Sequence, residues 1–320
     1  MLNFIIKRLL TSILVIIGVT IVIFSLVHMA PGDPVQMMAG LDAKEEDIEA
    51  LRAKMGMDKP LIVQYFNYVK GLLHLDLGKS IITNKNISDE IFFRFRNTAE
   101  LAVAGMLISS VFGIFIGIVA AVNRDRWLDK TLMSLSITGI SMPSFLLALL
   151  LMLLLVSQWH LLPASGREGS PFTAEGFKYI ILPALTLGIS GTASIARLTR
   201  SSVVAVLNEE FVMTLKAKGL RRKMILFKHI LRNASLPILT MIGLDFGYLL
   251  GGAVVTETIF AWPGIGKYAM DAISQNDFPA VQGAVLILHA DQPSGRPALR
   301  RAGSARLARI REAKQCNPKL

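Results

Sequence analysis

Long apolar runs separated by short charged loops dominate this sequence. About 20 apolar residues in a row can cross about 30 Å of hydrocarbon as an α-helix, so such runs indicate membrane spans. Hydrophobic residues make up 52% of the 320 positions and charged residues 18%, which disfavours a water-soluble enzyme. We predict an all-α integral membrane protein with about six transmembrane helices, the sixth disrupted. The runs are Leu9–Met29, Leu101–Val122, Leu132–Val156, Tyr179–Ala196, Leu236–Val255 and a short one from Ala280 to His289.

The loop charges predict how the chain crosses the membrane, because Lys and Arg near span ends stay cytoplasmic. Lys7 and Arg8 place the N-terminus inside. The segment 197–235 has nine basic and two acidic residues and is predicted to be cytoplasmic, whereas 257–279 has one against three. A cleaved signal peptide is disfavoured by the length of the first run and by Pro31 after Ala30.

The cytoplasmic loop between the fourth and fifth runs is predicted to form two short helices. Apolar residues at helical spacing indicate the first helix over 201–218, and Gly219 suits a left-handed C-terminal stop. A basic second helix then leads to Pro237. An amphipathic loop resting on anionic lipid is the alternative, and nucleic-acid binding is disfavoured because no nucleic-acid-binding motif accompanies the charge.

The residues of this loop resemble the EAA loop of ABC importer permeases of the dipeptide/oligopeptide/nickel transport family. Met213, Thr214 and Leu215 occupy the nominal Glu-Ala-Ala triplet, which is degenerate here. The further matches to the family pattern are Ala217, Lys218, Gly219, Leu220, Arg232, Asn233, Ala234, Leu236 and Pro237.

Further strings similar to that family lie in the same order over about residues 1–288. Each string is modest, but the ordered set is specific. The strings are 7–10 (KRLL), 30–34 (APGDP), 56–60 (GMDKP), 76–80 (DLGKS), 127–129 (WLD), 141–145 (SMPSF), 162–167 (LPASGR), 182–187 (LPALTL), 251–258 (GGAVVTET) and 260–266 (FAWPGIG).

The resemblance implies a permease in the bacterial inner membrane that performs no chemistry and holds no cofactor, because separate cytoplasmic subunits bind ATP. The loop from Met213 to Leu220 would couple to those subunits, with Val212, Leu215 and Leu220 as its apolar docking face. The implied partners are a second homologous permease, the ATP-binding subunits, an extracytoplasmic solute-binding protein and membrane lipid. The implied solute is a dipeptide, an oligopeptide or a related small molecule.

Three other features of the sequence bear on function: an acidic residue within a span, a single cysteine and a Gly-Lys-Ser string. Asp245 lies within a span, where a charge faces either an aqueous pathway or a neighbouring helix. The single cysteine, Cys316, disfavours a Cys-rich metal site, and no metal ligands are predicted. The string Gly78-Lys79-Ser80 lacks the first glycine of a phosphate-binding loop, since position 73 is Leu. A secondary transporter without an ATPase partner is the alternative function.

The expected organisation is a first helix over 1–30, a folded external segment over 31–96, a permease core over 97–288 and an aberrant basic tail over 289–320. The tail has eight basic and two acidic residues and supplies more than half of the net charge of +11. Reading its codons in a shifted frame can restore the family's apolar ending, so we predict a frameshift near His289. A shift in the cell would make this copy a non-functional truncated permease; an authentic tail is the alternative, and the coding DNA decides.

Overall fold

The apolar runs fold as helices in a computed structural model, which describes residues 2–29, 34–39, 44–74 and 76–290. Within those ranges helices and loops account for the whole fold apart from one isolated bridge between Lys79 and Asn86, so the all-α prediction is confirmed. The helices are α1 (Leu2–Met29), α2 (Pro34–Ala39), α3 (Glu45–Met55), α4 (Leu61–Leu73), α5 (Ile87–Val122), α6 (Trp127–Ser141), α7 (Ser144–Met152), α8 (Ala174–Leu207), α9 (Glu210–Ala217), α10 (Arg222–Met224), α11 (Leu231–Gly252), α12 (Val254–Ile259), α13 (Ile265–Ser274) and α14 (Phe278–Ala290). Two π-helical segments, Leu153–Gln158 and Ile225–Ile230, continue α7 and α10.

Three helical stretches of the described chain are long and apolar enough to cross a membrane: Ile87–Val122, Ala174–Leu207 and Arg222–Gly251. A bent pair, Trp127–Ser141 with Ser144–Gln158, adds a fourth if it counts as one span. Shorter apolar stretches lie at Ile13–Ser25 and Phe278–Leu288, where the first and sixth spans are predicted. The number of six therefore stays a prediction.

Two prolines within predicted spans have opposite consequences. At Pro143 the helix breaks, and the axes on either side differ by 103°, so the apolar run predicted over 132–156 lies on a bent pair of helices. Proline cannot donate an amide hydrogen and disfavours a helical residue before it, and Met142 is extended here with φ −81° and ψ 125°. In contrast, α8 continues through the buried Pro183, because a membrane helix can satisfy the freed carbonyl in other ways.

The described residues divide into two compact units, one within 2–98 and 262–290 and the other within 99–261. In the first unit α1 packs on α14 and α4, and α13 packs on α14. Phe24 of α1 meets the ring of Tyr65 edge-on at 5.4 Å, and the Thr20 hydroxyl lies 3.0 Å from the Tyr65 hydroxyl. The segment predicted to be external contains α2, α3 and α4 among its described residues. The predicted domain boundaries themselves stay predictions.

The second unit is built around α8, against which α6, α7 and α11 pack. Small residues let α5 approach α8 closely: a Cβ at Gly113 would lie 2.7 Å from the Ile195 Cβ, and one at Gly117 would lie 2.5 Å from the Thr199 Cβ. Such small residues four apart are a common device of membrane helix packing. At one end of this unit the Arg200 guanidinium donates two hydrogen bonds of 2.6 Å to the buried Asp129 carboxylate, which joins α8 to α6.

Apart from its first two residues, His289 and Ala290 of α14, the basic tail lies outside the described residues. The frameshift hypothesis therefore stays a prediction about the coding DNA.

Candidate coupling surface and pathway

The loop between the two long helices α8 and α11 holds a short separate helix. One helix was predicted over 201–218, but this is wrong: α8 ends at Leu207 and α9 begins at Glu210. The amides of Asn208 and Glu209 donate to the carbonyls of Ala205 and Val206, which closes a turn between them. The apolar spacing is kept across that turn, so the helical period alone did not reveal the break.

The end of α9 is fixed by Gly219, as the sequence predicts. Gly219 has φ +76°, the left-handed region that only glycine enters without strain. Its amide donates to the Lys216 carbonyl, and the Leu220 amide donates to the Leu215 carbonyl. These two bonds form a Schellman motif, in which the last helical carbonyls are satisfied by the residues that leave the helix. The direction in which the chain leaves α9 is therefore set by the backbone.

One face of α9 belongs to the core of its own unit. Val212 is fully buried in a cluster that includes Val203, Ile225 and Ile230, and Leu215 and Leu220 pack half-buried against that cluster. The expectation that Val212 forms a docking face for another subunit is wrong for this reason. Val212 instead attaches α9 to the helices that follow and precede it.

The opposite face is open, and we call it the coupling surface: Met213, Thr214, Lys216, Ala217, Lys218 and Gly219, with the exposed cations of 221–232. Met213 is 72% exposed although it is apolar. The exposed cations are Lys216, Lys218, Arg221, Arg222, Lys223, Lys228 and Arg232, and no ion pair with another described residue involves any of them. Seven basic side chains on α9 and in the segment after it are thus exposed together with Met213, which suits an acidic partner.

Two exposed apolar residues near this surface were missed from the sequence. Met224 and Phe227 are 47% and 64% exposed, while their neighbours Ile225 and Ile230 are buried. Met224 and Phe227 lie off the helical face that Ile225 and Ile230 share, and this spacing is the sequence signal that could have identified them. They extend the apolar part of the coupling surface beyond Met213.

Asp245 lies on α11 where that helix packs on α8. Its Oδ2 atom is buried and has no hydrogen-bond partner in the described part of the chain. The position that a Cβ would take at Gly191 is 3.9 Å from this Oδ2 and 3.3 Å from the Ser109 hydroxyl oxygen. The Ser109 hydroxyl donates to the Met106 carbonyl instead. Asp245 is thus a half-buried residue among three long helices, with one carboxylate oxygen that has no partner among the described residues.

The string 260–266 builds a second polar arrangement, the Trp262 clamp: Asn97 and Thr98 of α5 with Trp262, Pro263 and Ile265. The Trp262 indole is fully buried and its Nε1 donates to the Asn97 carbonyl at 2.9 Å. The Asn97 amide donates to the Pro263 carbonyl at 2.8 Å, and the Ile265 amide donates to the Thr98 hydroxyl at 2.9 Å. These three hydrogen bonds therefore attach the string 260–266 to α5.

The string 76–80 is a structural turn and does not form a phosphate site. Gly78 has φ +78°, and its amide donates to the Asp76 carboxylate. The Ser80 hydroxyl donates to the Asp277 carboxylate, which also accepts from the Ile81 amide. A carboxylate at this position would repel phosphate. Among the described residues no group of three His, Cys, Asp or Glu could hold a metal ion.

Comparison with known proteins identifies relatives along nearly the whole chain. The family described as binding-protein-dependent transport system inner membrane component matches residues 113–290, and its N-terminal counterpart matches residues 1–102. A glutathione transport system permease protein, GsiC, of Salmonella choleraesuis (strain SC-B67) is 42% identical over 287 residues, covering 90% of this chain and 92% of the relative. GsiC of Escherichia coli (strain K12) is 40% identical over 287 residues with the same coverage.

A solved structure shares the fold. The inward-facing MetNI methionine ABC transporter matches with a TM-score of 0.51 and 14% identity, over 66% of this chain and 95% of that chain. At this identity the match shows the fold alone.

Proposed function

The chain belongs to the family of binding-protein-dependent transport system inner membrane components and is a permease subunit of an ABC importer, and we propose that it imports a small peptide-like solute. The sequence similarity to glutathione permeases supports a short peptide or a peptide derivative as the solute. A secondary transporter is not favoured, because both the family and the fold are those of ATP-driven importers.

The family implies partner subunits, and the described surfaces suggest where one of them binds. We propose that a second permease completes the pathway, that cytoplasmic subunits bind and hydrolyse ATP, and that an extracytoplasmic binding protein delivers the solute. The chain is embedded in the inner membrane. The cytoplasmic N-terminus is a further part of the proposal, supported by Lys7 and Arg8 before the first span.

The ATP-binding subunit would dock on the coupling surface. The observation that carries this proposal is the set of seven exposed cations without ion-pair partners in the described chain, gathered around α9. The Schellman motif at Gly219 fixes the direction in which the chain leaves α9. A displacement of α9 by the ATP-binding subunit would therefore be transmitted to the helices that follow and would not be lost in a flexible loop. Met213 would enter an apolar pocket, while Lys216 and Lys218 would meet carboxylates of the partner.

Charge reversal at Lys218 tests this docking. In affinity purification through this chain, Lys218→Glu should lower the co-purified ATP-binding subunits by about tenfold, since one interface charge pair is worth about 1.5 kcal/mol or more. Lys44→Glu changes an equally exposed lysine outside the coupling surface and should leave the yield unchanged. Equal yields from both variants would refute the proposal.

We also propose that Asp245 faces the translocation pathway. The residue is half-buried and its buried Oδ2 atom has no partner among the described residues. Contact with an aqueous pathway would supply the hydrogen bonds that this oxygen lacks, since a buried polar atom without a hydrogen bond is costly. Uptake of solute by Asp245→Asn should fall about tenfold, with the melting temperature of the complex preserved. A variant that loses stability but keeps its uptake per folded complex would show that Asp245 has a packing role.

The solute itself is identified through the binding protein. The neighbouring genes should encode a second permease, ATP-binding subunits and a solute-binding protein. Mass spectrometry of the ligand that the purified binding protein retains should reveal a peptide or a peptide-like thiol. A sugar or an inorganic ion would overturn the solute class and leave the importer assignment intact.

A further inference from the structure

An apolar groove of about 320 Å³ lies in the second unit between α5, α6 and α8. Phe112, Leu135 and Ile189 line it from the three helices in turn. Leu135 is 68% exposed, so the groove opens to the surroundings of the helices. This volume is in the range of small-molecule pockets, but the groove opens where a membrane would surround the helices.

The polar side chains of the groove are already satisfied. The Ser136 hydroxyl donates to the Leu132 carbonyl at 2.8 Å, and the Thr192 hydroxyl donates to the Gly188 carbonyl at 2.7 Å. A peptide or another polar ligand would find no free donor there and would lose its own hydrogen bonds with water. A hydrocarbon chain requires no such donor and fills the groove without that loss.

One end of the groove carries an aromatic ring and positive charge. On α8 the lining residues Ile189 and Ala193 are followed, one helical turn further, by the exposed Arg197. On α6 the lining residue Leu135 is preceded at four-residue spacing by Thr131 and then by Trp127, which is 74% exposed. The row on α6 therefore leads from the apolar groove to the exposed Trp127, and the row on α8 leads to the exposed Arg197.

The charge of Arg197 is available to a ligand. Arg200, one turn away, is engaged by Asp129 through two hydrogen bonds of 2.6 Å. Arg197 is exposed and has no ion pair with any described residue. The Arg200–Asp129 pair thus joins two walls of the groove and leaves Arg197 unneutralised at the same end.

We propose that this groove binds one anionic phospholipid, with an acyl chain along Leu135, Ile189 and Ala193 and the phosphate at Arg197. Tryptophan is enriched where the polar headgroups of a bilayer meet its hydrocarbon, and Trp127 takes that position beside the headgroup. The sign of the free charge selects an anionic lipid, such as phosphatidylglycerol, over the zwitterionic phosphatidylcholine. The lipid would fix α6 against α8 beyond what the Arg200–Asp129 pair provides.

Native mass spectrometry of the assembled importer tests the proposal. The complex is delipidated in detergent and titrated with phosphatidylglycerol or phosphatidylcholine. We expect one tightly retained phosphatidylglycerol per copy of this chain and weaker retention of phosphatidylcholine. Arg197→Gln should weaken phosphatidylglycerol about fivefold, which corresponds to about 1 kcal/mol per basic residue at an anionic lipid surface. Lys44→Gln removes another exposed charge, outside both the groove and the coupling surface, and should leave the retention unchanged.

A second variant tests the groove itself. A Cβ at Gly139 would meet only the Ala193 Cβ, at the ordinary distance of 3.7 Å, so Gly139→Leu can fold while its side chain fills the groove. It should abolish retention of the lipid. Gly18→Leu is the matched control, because a Cβ at Gly18 meets nothing within 4 Å.

Three outcomes would overturn the proposal. Equal retention of the two lipids would refute anionic selection, and retention unaffected by Gly139→Leu would place the lipid elsewhere. Loss of the second permease from the Gly139→Leu complex, with lipid retention unchanged, would show that a protein helix occupies the groove.

Discussion

The Trp262 clamp and the coupling surface are both made of short sequence strings similar to those of a known family, yet their side chains face opposite environments. In the clamp, Asn97, Trp262 and Ile265 are buried. Three hydrogen bonds join the segment 97–98 of α5 to the segment 262–265. On the coupling surface, the side chains of Met213 and Lys218 are exposed, and Lys218 has no ion pair with any described residue. A recurring string therefore has two physical meanings: a buried string maintains the fold, and an exposed one meets another molecule.

The clamp should supply the largest effect on stability. Trp262→Ala removes a fully buried indole together with its hydrogen bond to Asn97, so the free energy of unfolding should fall by about 3–5 kcal/mol. Trp159→Ala removes an indole that is 57% exposed and should cost less than about 1 kcal/mol. Denaturation of the purified chain in detergent measures both variants. A similar loss from each would contradict the assignment of the clamp as a structural feature.

Val212 and Met213 are neighbours on α9, but Val212 is buried and Met213 is exposed. Val212→Ala leaves a cavity in the core cluster and should lower the free energy of unfolding by about 1–3 kcal/mol. Met213→Ala should change it by less than about 0.5 kcal/mol, because Met213 is exposed. The yield of co-purified ATP-binding subunits should show the opposite order, with a larger loss for Met213→Ala than for Val212→Ala. If Met213→Ala left that yield unaffected, Met213 would not contribute to docking of the ATP-binding subunits.

Gly219 tests whether the direction of the chain at the end of α9 matters. Gly219→Val should cost about 1–2 kcal/mol, because a side chain disfavours φ +76° although no atom lies within 4 Å to clash with it. We expect ATP hydrolysis by the reconstituted importer to be uncoupled from solute uptake. Gly219→Asn is the control, since asparagine tolerates left-handed φ, and its coupling should be close to that of the unmodified chain. Coupling retained by the valine variant would show that the Schellman motif is dispensable.

The sequence predicted the helical class, the left-handed stop at Gly219 and the basic loop, because these follow from local composition and glycine geometry. It did not predict the break at Asn208 or the burial of Val212. The burial of Val212 depends on packing against Ile225 and Ile230, which lie later in the chain. The sequence offers both Pro143 and Pro183 as hinges, but the helix bends by 103° at Pro143 and continues through Pro183. A proline permits a break, and the surrounding helices decide whether it occurs. The partners of Trp262 lie more than 160 residues away and no local pattern reveals them.

Cross-linking from the coupling surface tests the central claim most directly. Met213→Cys is introduced after Cys316 is replaced by Ser, the thiol is labelled with benzophenone maleimide, and the assembled importer is irradiated so that the benzophenone inserts into a nearby C–H bond. We expect one cross-linked product that contains the ATP-binding subunit, with a yield that changes when ATP is added. Lys44→Cys, at another exposed position, should give no such product. Absence of the product from Met213→Cys, or equal yields from both positions, would contradict the claim that this surface receives the motor.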